Sequence, residues 1–246
     1  NRRRVTAIMD EKILITIAGR GGSQGVKDKN IKDLCGLPLI AHTILQAKKW
    51  GKAVRVVCTT DSEKIAAVAM EYGAEAPFMR PAELATSTIG KLPVLKHSLQ
   101  SAEEYYNEKY DIVIDLDATS PIRKLSDIEG SLAVFLKHRP KSVFSVTPAR
   151  KNPYFNMVET DASGYARLVK KLDSSIVRRQ DAPKVFDMNA SIYVYDRDYL
   201  LADQTVSAIS DCSMVWVMDE LSAFDIDTEL DFQFVEFLVS RKLVSL

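Results

Sequence analysis

Short runs of β-branched and apolar residues alternate along this chain with stretches whose apolar residues recur at steps of three and four. That rhythm constrains the fold more than any other feature. Ile13 to Ala18 is such a run, stopped by a Gly cluster, as a strand buried on both faces would be. Pro38 then opens a helical stretch to Trp50, with Gly51 past its end. Val54 to Cys58 reads as a second buried strand, and Asp61 as the cap of a helix in which Ile65, Val68, Ala69 and Tyr72 share a face before Gly73. Leu92, Leu95, Leu99, Ala102 and Tyr106 mark a further helix, Ile112 to Leu116 a third strand and Phe144 to Thr147 a fourth. Between the last two, Ser126 with Glu129 reads as a capping box for a helix through Leu136. The order predicts an α/β fold, a mostly parallel sheet with helices on both faces, and such sheets bind ligands at the carboxyl ends of their strands.

After Pro148 the rhythm changes. Residues 149–188 are rich in Lys, Arg and Asp, carry the turn signal Asp161-Ala162-Ser163-Gly164 and offer no long amphipathic helix, so an inserted arm, a β-hairpin, is expected there. The alternation resumes with a strand from Ser191 to Tyr195, another from Met214 to Met218 and a final helix from Thr228 to about Lys242. The expected division is one domain over 13–148 and 189–242, with the arm at 149–188 between them. Residues 1–8 are read as leader or cloning residues, with Met9 as the expected start.

Composition narrows the function. Lys and Arg number 33 and Asp and Glu 33, so the formal net charge is zero, which argues against a nucleic-acid binder that must neutralise phosphates. No apolar run approaches the roughly 20 residues of a membrane span. Cys35, Cys58 and Cys212 are odd in number and widely spaced, giving neither a disulfide framework nor a zinc site, and a cytoplasmic location is expected.

Three segments can carry chemistry. The first strand runs into Gly19-Arg20-Gly21-Gly22-Ser23-Gln24-Gly25, whose glycines free backbone N–H groups to approach phosphate oxygens. It matches neither a P-loop nor a dinucleotide fingerprint. It continues through Lys27, Lys29 and Asn30, enough positive charge to face a triphosphate; the alternative is an ordinary strand-to-helix turn with solvated lysines. In Asp225-Ile226-Asp227 an extended backbone puts both carboxylates on one face, which suits Mg²⁺; the alternative is a helix cap, since Thr228 with Asp231 resembles a capping box. Asp115 to Arg123 brings polar groups out where a central strand ends, or is a turn shaped by Ser120-Pro121. His42, His97 and His138 lie in separate expected helices without clustering, and no Gly-x-Ser-x-Gly elbow occurs.

The order Arg20-Gly21-Gly22-Ser23, Lys29-Asn30, Thr59-Thr60-Asp61, Arg80-Pro81-Ala82-Glu83-Leu84-Ala85, Thr119-Ser120-Pro121-Ile122-Arg123 and Phe224-Asp225-Ile226-Asp227-Thr228 resembles the nonulosonate cytidylyltransferases, the CMP-sialic acid synthetases, from about Ile13 to Lys242. Asn152-Pro153-Tyr154-Phe155, Arg179-Gln180-Asp181 and Met188-Asn189-Ala190-Ser191, with Leu116-Asp117-Ala118, look more like the bacterial legionaminic-acid branch. The resemblance implies a Rossmann-like nucleotidyltransferase fold and a homodimer in which each arm reaches its neighbour's site. It implies the reaction of CTP with a nine-carbon 2-keto sugar acid, aided by Mg²⁺, to give a CMP-sugar and pyrophosphate. It implies that Arg20 and Lys29 hold phosphates and that Asp225 and Asp227 hold Mg²⁺, with Asp227 a base. Gly19, Gly21, Gly22, Ser23, Gln24, Asn30 and Arg80 would meet the nucleotide, and Asp117, Thr119, Ser120, Arg179 and Asn189 the sugar acid. Two positions depart from the family pattern: Gln24 stands where Lys is usual, and Asp117 where the neuraminate branch has Gln. A metal-dependent nucleotide-sugar glycosyltransferase and a catalytically weak, dimeric nucleotide-binding module are the alternatives.

Overall fold

The computed structural model describes residues 11–173 and 178–246; the leader and the Met9 start lie outside them. Six strands form one sheet in the order β10-β6-β9-β5-β1-β4, comprising β1 (Ile13–Ala18), β4 (Arg55–Thr59), β5 (Ile112–Leu116), β6 (Ser142–Pro148), β9 (Phe186–Asp196) and β10 (Ser213–Val217). β4, β1 and β5 pair in parallel, as do β6 and β10, while β9 runs antiparallel to both β5 and β6 between them. The sheet is thus mostly parallel, as expected, with one reversed strand that the alternation did not reveal.

Both faces of β1, β4 and β5 are buried, which is why these strands read as mostly apolar runs. Ile13, Ile15 and Ile17 of β1 pack with α1 (Leu39–Trp50), α2 (Glu63–Glu71) and α4 (Leu125–His138), while Leu14 packs on the other face with α3 (Lys91–Tyr106) and Leu200 of α5 (Arg197–Leu201). A third, smaller core joins Val26, Leu34 of the short strand β2 (Asp33–Leu34, paired with β3, Leu37–Pro38), Ile122, Ile226 and the apolar face of α6 (Glu229–Ser240). Two caps differ from expectation. Ser62, not Asp61, caps α2, because Asp61 is taken by the Gly21 N–H at 2.9 Å. Asp127, not Glu129, closes the start of α4 by accepting the Lys124 N–H at 2.8 Å, while Glu129 is drawn away to Trp50 and Lys52. The Thr228–Asp231 capping box forms as read.

The segment after β6 holds a two-stranded hairpin, β7 (Val158–Thr160) with β8 (Ala166–Leu168), turning at Asp161–Gly164, where Gly164 takes a positive φ of 85°. Val158, Tyr165, Phe186 and Met188 stand exposed on it and on the strand that follows. Among the described residues no helix is long and apolar enough to cross a membrane.

Candidate active site

At the carboxyl ends of β1 and β5 lies a cleft of about 370 Å³ lined by Arg20, Ser23, Gln24, Gly25, Lys29, Asn30, Asp117, Thr119 and Asp227. A larger hollow of about 530 Å³ lies where those strands begin, but its charged lining is largely paired within the chain, as in Arg139 with Glu11 and Arg197 with Asp198. Strand carboxyl ends are where open α/β sheets bind ligands, so the smaller cleft is the candidate.

One wall is the Gly-rich loop. Gly19 donates to the Thr59 carbonyl at 3.1 Å and Gly21 to Asp61, which anchor the loop's start to the end of β4. Asn30, 4% exposed, donates to the Arg20 carbonyl at 3.1 Å, and Arg20 Nη1 reaches the Thr86 carbonyl at 3.2 Å. Gly22 is exposed with open space around it, and Gln24 and Lys27 face solvent. Gly25 is a glycine for a stronger reason: a Cβ there would sit 1.9 Å from the Asp227 carbonyl oxygen.

The opposite wall is built on Ile226. Fully buried in the third core, it pins the centre of Asp225-Ile226-Asp227, its N–H donating to the Thr119 carbonyl at 2.9 Å. Burying such a side chain stabilises by about 1.5–3 kcal/mol, enough to hold a tripeptide that lies outside any strand or helix. Lys29 bridges the walls, its Nζ 2.5 Å from the Ile226 carbonyl and 3.2 Å from Asp227 Oδ1. Burial, with Asp117 and Asp227 nearby, pushes the Asp225 carboxyl above the ordinary range, and its Oδ1 is buried without a hydrogen-bond partner among the described residues.

Asp117 completes the cleft from the end of β5. Its Oδ1 accepts the Thr119 N–H at 3.0 Å and the Thr119 hydroxyl at 2.8 Å, and its Oδ2 lies 2.6 Å from Lys91 Nζ. Burial opposes its charge, but Lys91 and the Thr119 donors outweigh burial and hold the carboxyl at about 2. Lys91 carries no motif, and only the folded structure reveals it, 2.7 Å from the fully buried Asp115 and 2.6 Å from Asp117. Arg123, 3% exposed, fixes this turn from beneath by donating to the Asp117 and Ser120 carbonyls and to Ser191 Oγ at 3.0 Å.

The structure therefore gathers Arg20, Ser23, Gln24, Lys29, Asn30, Asp117, Thr119 and Asp227 around one space. Other residues singled out by sequence sit differently. Arg80 is 7% exposed, its guanidinium donating to Thr59 at the end of β4. Ser120 donates to the Asn189 carbonyl at 3.1 Å. Asn189 is buried and spent: its amide donates to the Ser222 carbonyl at 2.9 Å and its oxygen accepts Ser145 Oγ at 2.6 Å, tying β9 to β6 and to the turn before Asp225. Arg179 lies on the arm, donating to the Ala149 carbonyl at 2.9 Å beside a separate hollow lined by Pro148, Phe186 and Val217. It does not approach the cleft of its own chain.

The sequence itself decides the family. Residues 14–231 match the cytidylyltransferase family. The chain belongs to that family. It is a nucleotidyltransferase. It is 44% identical over 234 residues, covering 95% of this chain and 97% of the relative, to the CMP-N,N'-diacetyllegionaminic acid synthase of Campylobacter jejuni. It is 43% identical over 231 residues, 94% of this chain and 96% of the relative, to the post-translational flagellin modification protein B of Campylobacter coli. Among solved structures, CMP:2-keto-3-deoxy-manno-octonic acid synthetase superposes with a TM-score of 0.68 at 16% identity, over 94% of this chain and 99% of that one, a likeness of fold.

Proposed function

We propose that this enzyme activates a nonulosonic acid of the legionaminic type with CTP. The observation that carries this reading is the placement of Asp227 and Asp117 across one cleft from the Gly-rich loop, in a chain 44% identical to a CMP-N,N'-diacetyllegionaminic acid synthase. The anomeric hydroxyl of the sugar acid attacks the α-phosphorus of CTP, a new P–O bond forms as the bond to the leaving pyrophosphate breaks, and CMP-sugar results. Such transfers need positioning and charge stabilisation more than covalent help.

Arg20, Lys29 and the N–H groups of the loop hold the phosphates and the departing pyrophosphate. Asp117 receives the sugar acid, and Asp227, exposed beside the cleft, takes the proton of the attacking hydroxyl directly or through water. Asp225 and Asp227 would hold Mg²⁺: among the described residues no three His, Cys, Asp or Glu side chains form a ready-made cage, and Mg²⁺ asks for one or two carboxylates with water and phosphate oxygens completing its shell. The unpartnered Asp225 Oδ1 fits that demand. When bound, the ion neutralises charge on the triphosphate. Pairing of two chains through the arm accounts for its exposed Val158, Tyr165 and Phe186, and for an Arg179 that does not line the cleft of its own chain. A cytoplasmic location fits a user of CTP with free thiols at Cys35, Cys58 and Cys212.

Pyrophosphate release from CTP tests the reading: it is expected only with Mg²⁺ and a sugar acid together. CTP binding without turnover would favour a binding module, and consumption of a CMP-sugar without pyrophosphate a glycosyltransferase.

A further inference from the structure

Lys91 stands at the first position of the 16-residue α3, the positive end of the helix dipole, where a cation is disfavoured. What holds it there is a pair of carboxylates two residues apart, Asp115 on β5 and Asp117 just past its end. Its Nζ lies 2.7 Å from Asp115 Oδ2 and 2.6 Å from Asp117 Oδ2, with the Tyr193 ring centroid at 5.2 Å. Asp115 is fully buried and also accepts the Thr16 hydroxyl at 3.1 Å. Its place is inside the sheet, whereas Asp117 opens on the cleft.

Counting donors and acceptors shows what this cluster leaves free. Each carboxylate oxygen accepts about two hydrogen bonds. Asp117 Oδ1 has both, from the Thr119 N–H and hydroxyl, while Oδ2 has one, from Lys91. Asp117 is thereby clamped at both oxygens, kept charged, and left with a single acceptor position, on a side chain 19% exposed. A carboxylate so restrained receives a donor, an N–H or an O–H, and rejects an acceptor-only group.

We propose that Lys91 is a positioning residue for the sugar acid: it locks Asp117 so that the free acceptor receives one donor group of that substrate, an acylamido N–H or a hydroxyl. The inference rests on the proposed reaction. Lys91 acts through Asp117, and the nucleotide is held by the opposite wall. Its loss therefore falls on the sugar acid and not on CTP.

Wild-type pyrophosphate release with CTP, Mg²⁺ and N,N'-diacetyllegionaminic acid is measured first, since its absence would count against the reaction itself. Given that activity, Lys91→Met is expected to raise KM for the sugar acid by about 10- to 100-fold, the range of one lost charge-assisted hydrogen bond, with KM for CTP within twofold. Because Lys91→Met leaves two carboxylates uncompensated, Lys91→Met/Asp115→Asn is made beside it; this pair keeps the net charge of the cluster and is expected to show the same split. Two sugar analogues identify the donor, one with the acylamido group replaced by hydrogen and one lacking a side-chain hydroxyl. The wild type loses about 10-fold or more in kcat/KM on the analogue missing the group that Asp117 reads, whereas the Lys91 variants lose less than about threefold on it. A folded Lys91 variant with an unchanged sugar KM, with its loss on CTP, or with the wild-type response to both analogues would overturn the inference.

Discussion

Replacing Gly25 by Ala isolates the contact between the two walls of the cleft. The added Cβ would lie 1.9 Å from the Asp227 carbonyl oxygen and 3.1 Å from its carbon, so backbone must separate from backbone by about 1.1 Å to reach even a 3.0 Å contact. No flexible side chain can absorb this. Val26, next in the loop, and Ile226, next to Asp227, are both anchored in the same small core at 1% and 0% exposure, so the displacement is forced into the loop tip and Asp227. Overpacking of this kind costs about 1–3 kcal/mol of stability, whereas a misplacement of about 1 Å at a reacting centre costs about 10²-fold in rate. Gly25→Ala should therefore lose about 10²-fold in pyrophosphate release while still folding, with Gly90→Ala as the control, since a Cβ there would meet only Pro93 Cδ at 4.0 Å. Activity and melting temperature are measured on both. If Gly25→Ala keeps activity within threefold of wild type, or if Gly90→Ala loses as much, the two walls do not act as one site.

Asp225→Asn and Asp227→Asn should each cost about 10²-fold or more in turnover with little change in melting temperature, because the amide keeps the local shape and removes charge from the carboxylate pair; equal losses of both would leave only the capping role. Light scattering at micromolar concentration should give twice the chain mass, and a variant lacking the arm should be monomeric and inactive toward the sugar acid while still binding CTP. Glu103 is opposed by burial but held down to about 2 by Arg197, Lys109 and the Tyr110 N–H, so its folded value lies below that of the unfolded chain. The stability it contributes is complete above about pH 5 and lost as pH falls toward 2, and Glu103→Gln should flatten acid unfolding across that window. Gln24→Lys should tighten CTP binding by about 5- to 30-fold in calorimetric titration, since Lys29 is already engaged by Asp227 and Lys27 faces solvent; unchanged or weaker binding would show a loop built around a neutral residue.

The parallel part of the fold was legible because a strand buried on both faces is mostly apolar, and β1 and β5 show that as runs with bounds as read, each broken by one buried polar residue, Thr16 and Asp115, that bond to each other. The direction of β9 was not, because a strand's own residues do not encode it. Direction follows from the connection: a parallel return needs a crossover, usually a helix, and the segment between β6 and β9 contains a hairpin instead. Asp61 was misread as a cap for a related reason. An Asp before an apolar periodicity satisfies the local pattern, but a competing donor, the Gly21 N–H, lies 40 residues away.

The same division between near and distant partners runs through the cleft. The Gly-rich loop and the Asp225-Ile226-Asp227 segment were visible because each is contiguous and its residue types carry their own chemistry. Lys91 and the need for glycine at position 25 were invisible, since their partners, Asp117 and Asp227, lie 26 and 202 residues further along the chain. Those distant contacts settle how a neutral protein divides its charge. Arg20 and Lys29 line the cleft beside Gln24, and Asp117 and Asp227 face them, so the lining alone carries as many carboxylates as cations before Asp225 is counted. A triphosphate entering this space meets carboxylates of which Asp227 is paired with Lys29 and Asp117 with Lys91. Asp225 forms no ion pair among the described residues; burial beside the other two carboxylates disfavours its charge and outweighs the Thr119 hydrogen bond and the nearby Lys29. On the proposed reaction, a divalent cation held by Asp225 and Asp227 would offset their charge as the triphosphate enters, so turnover should depend steeply on that cation and not on ionic strength alone.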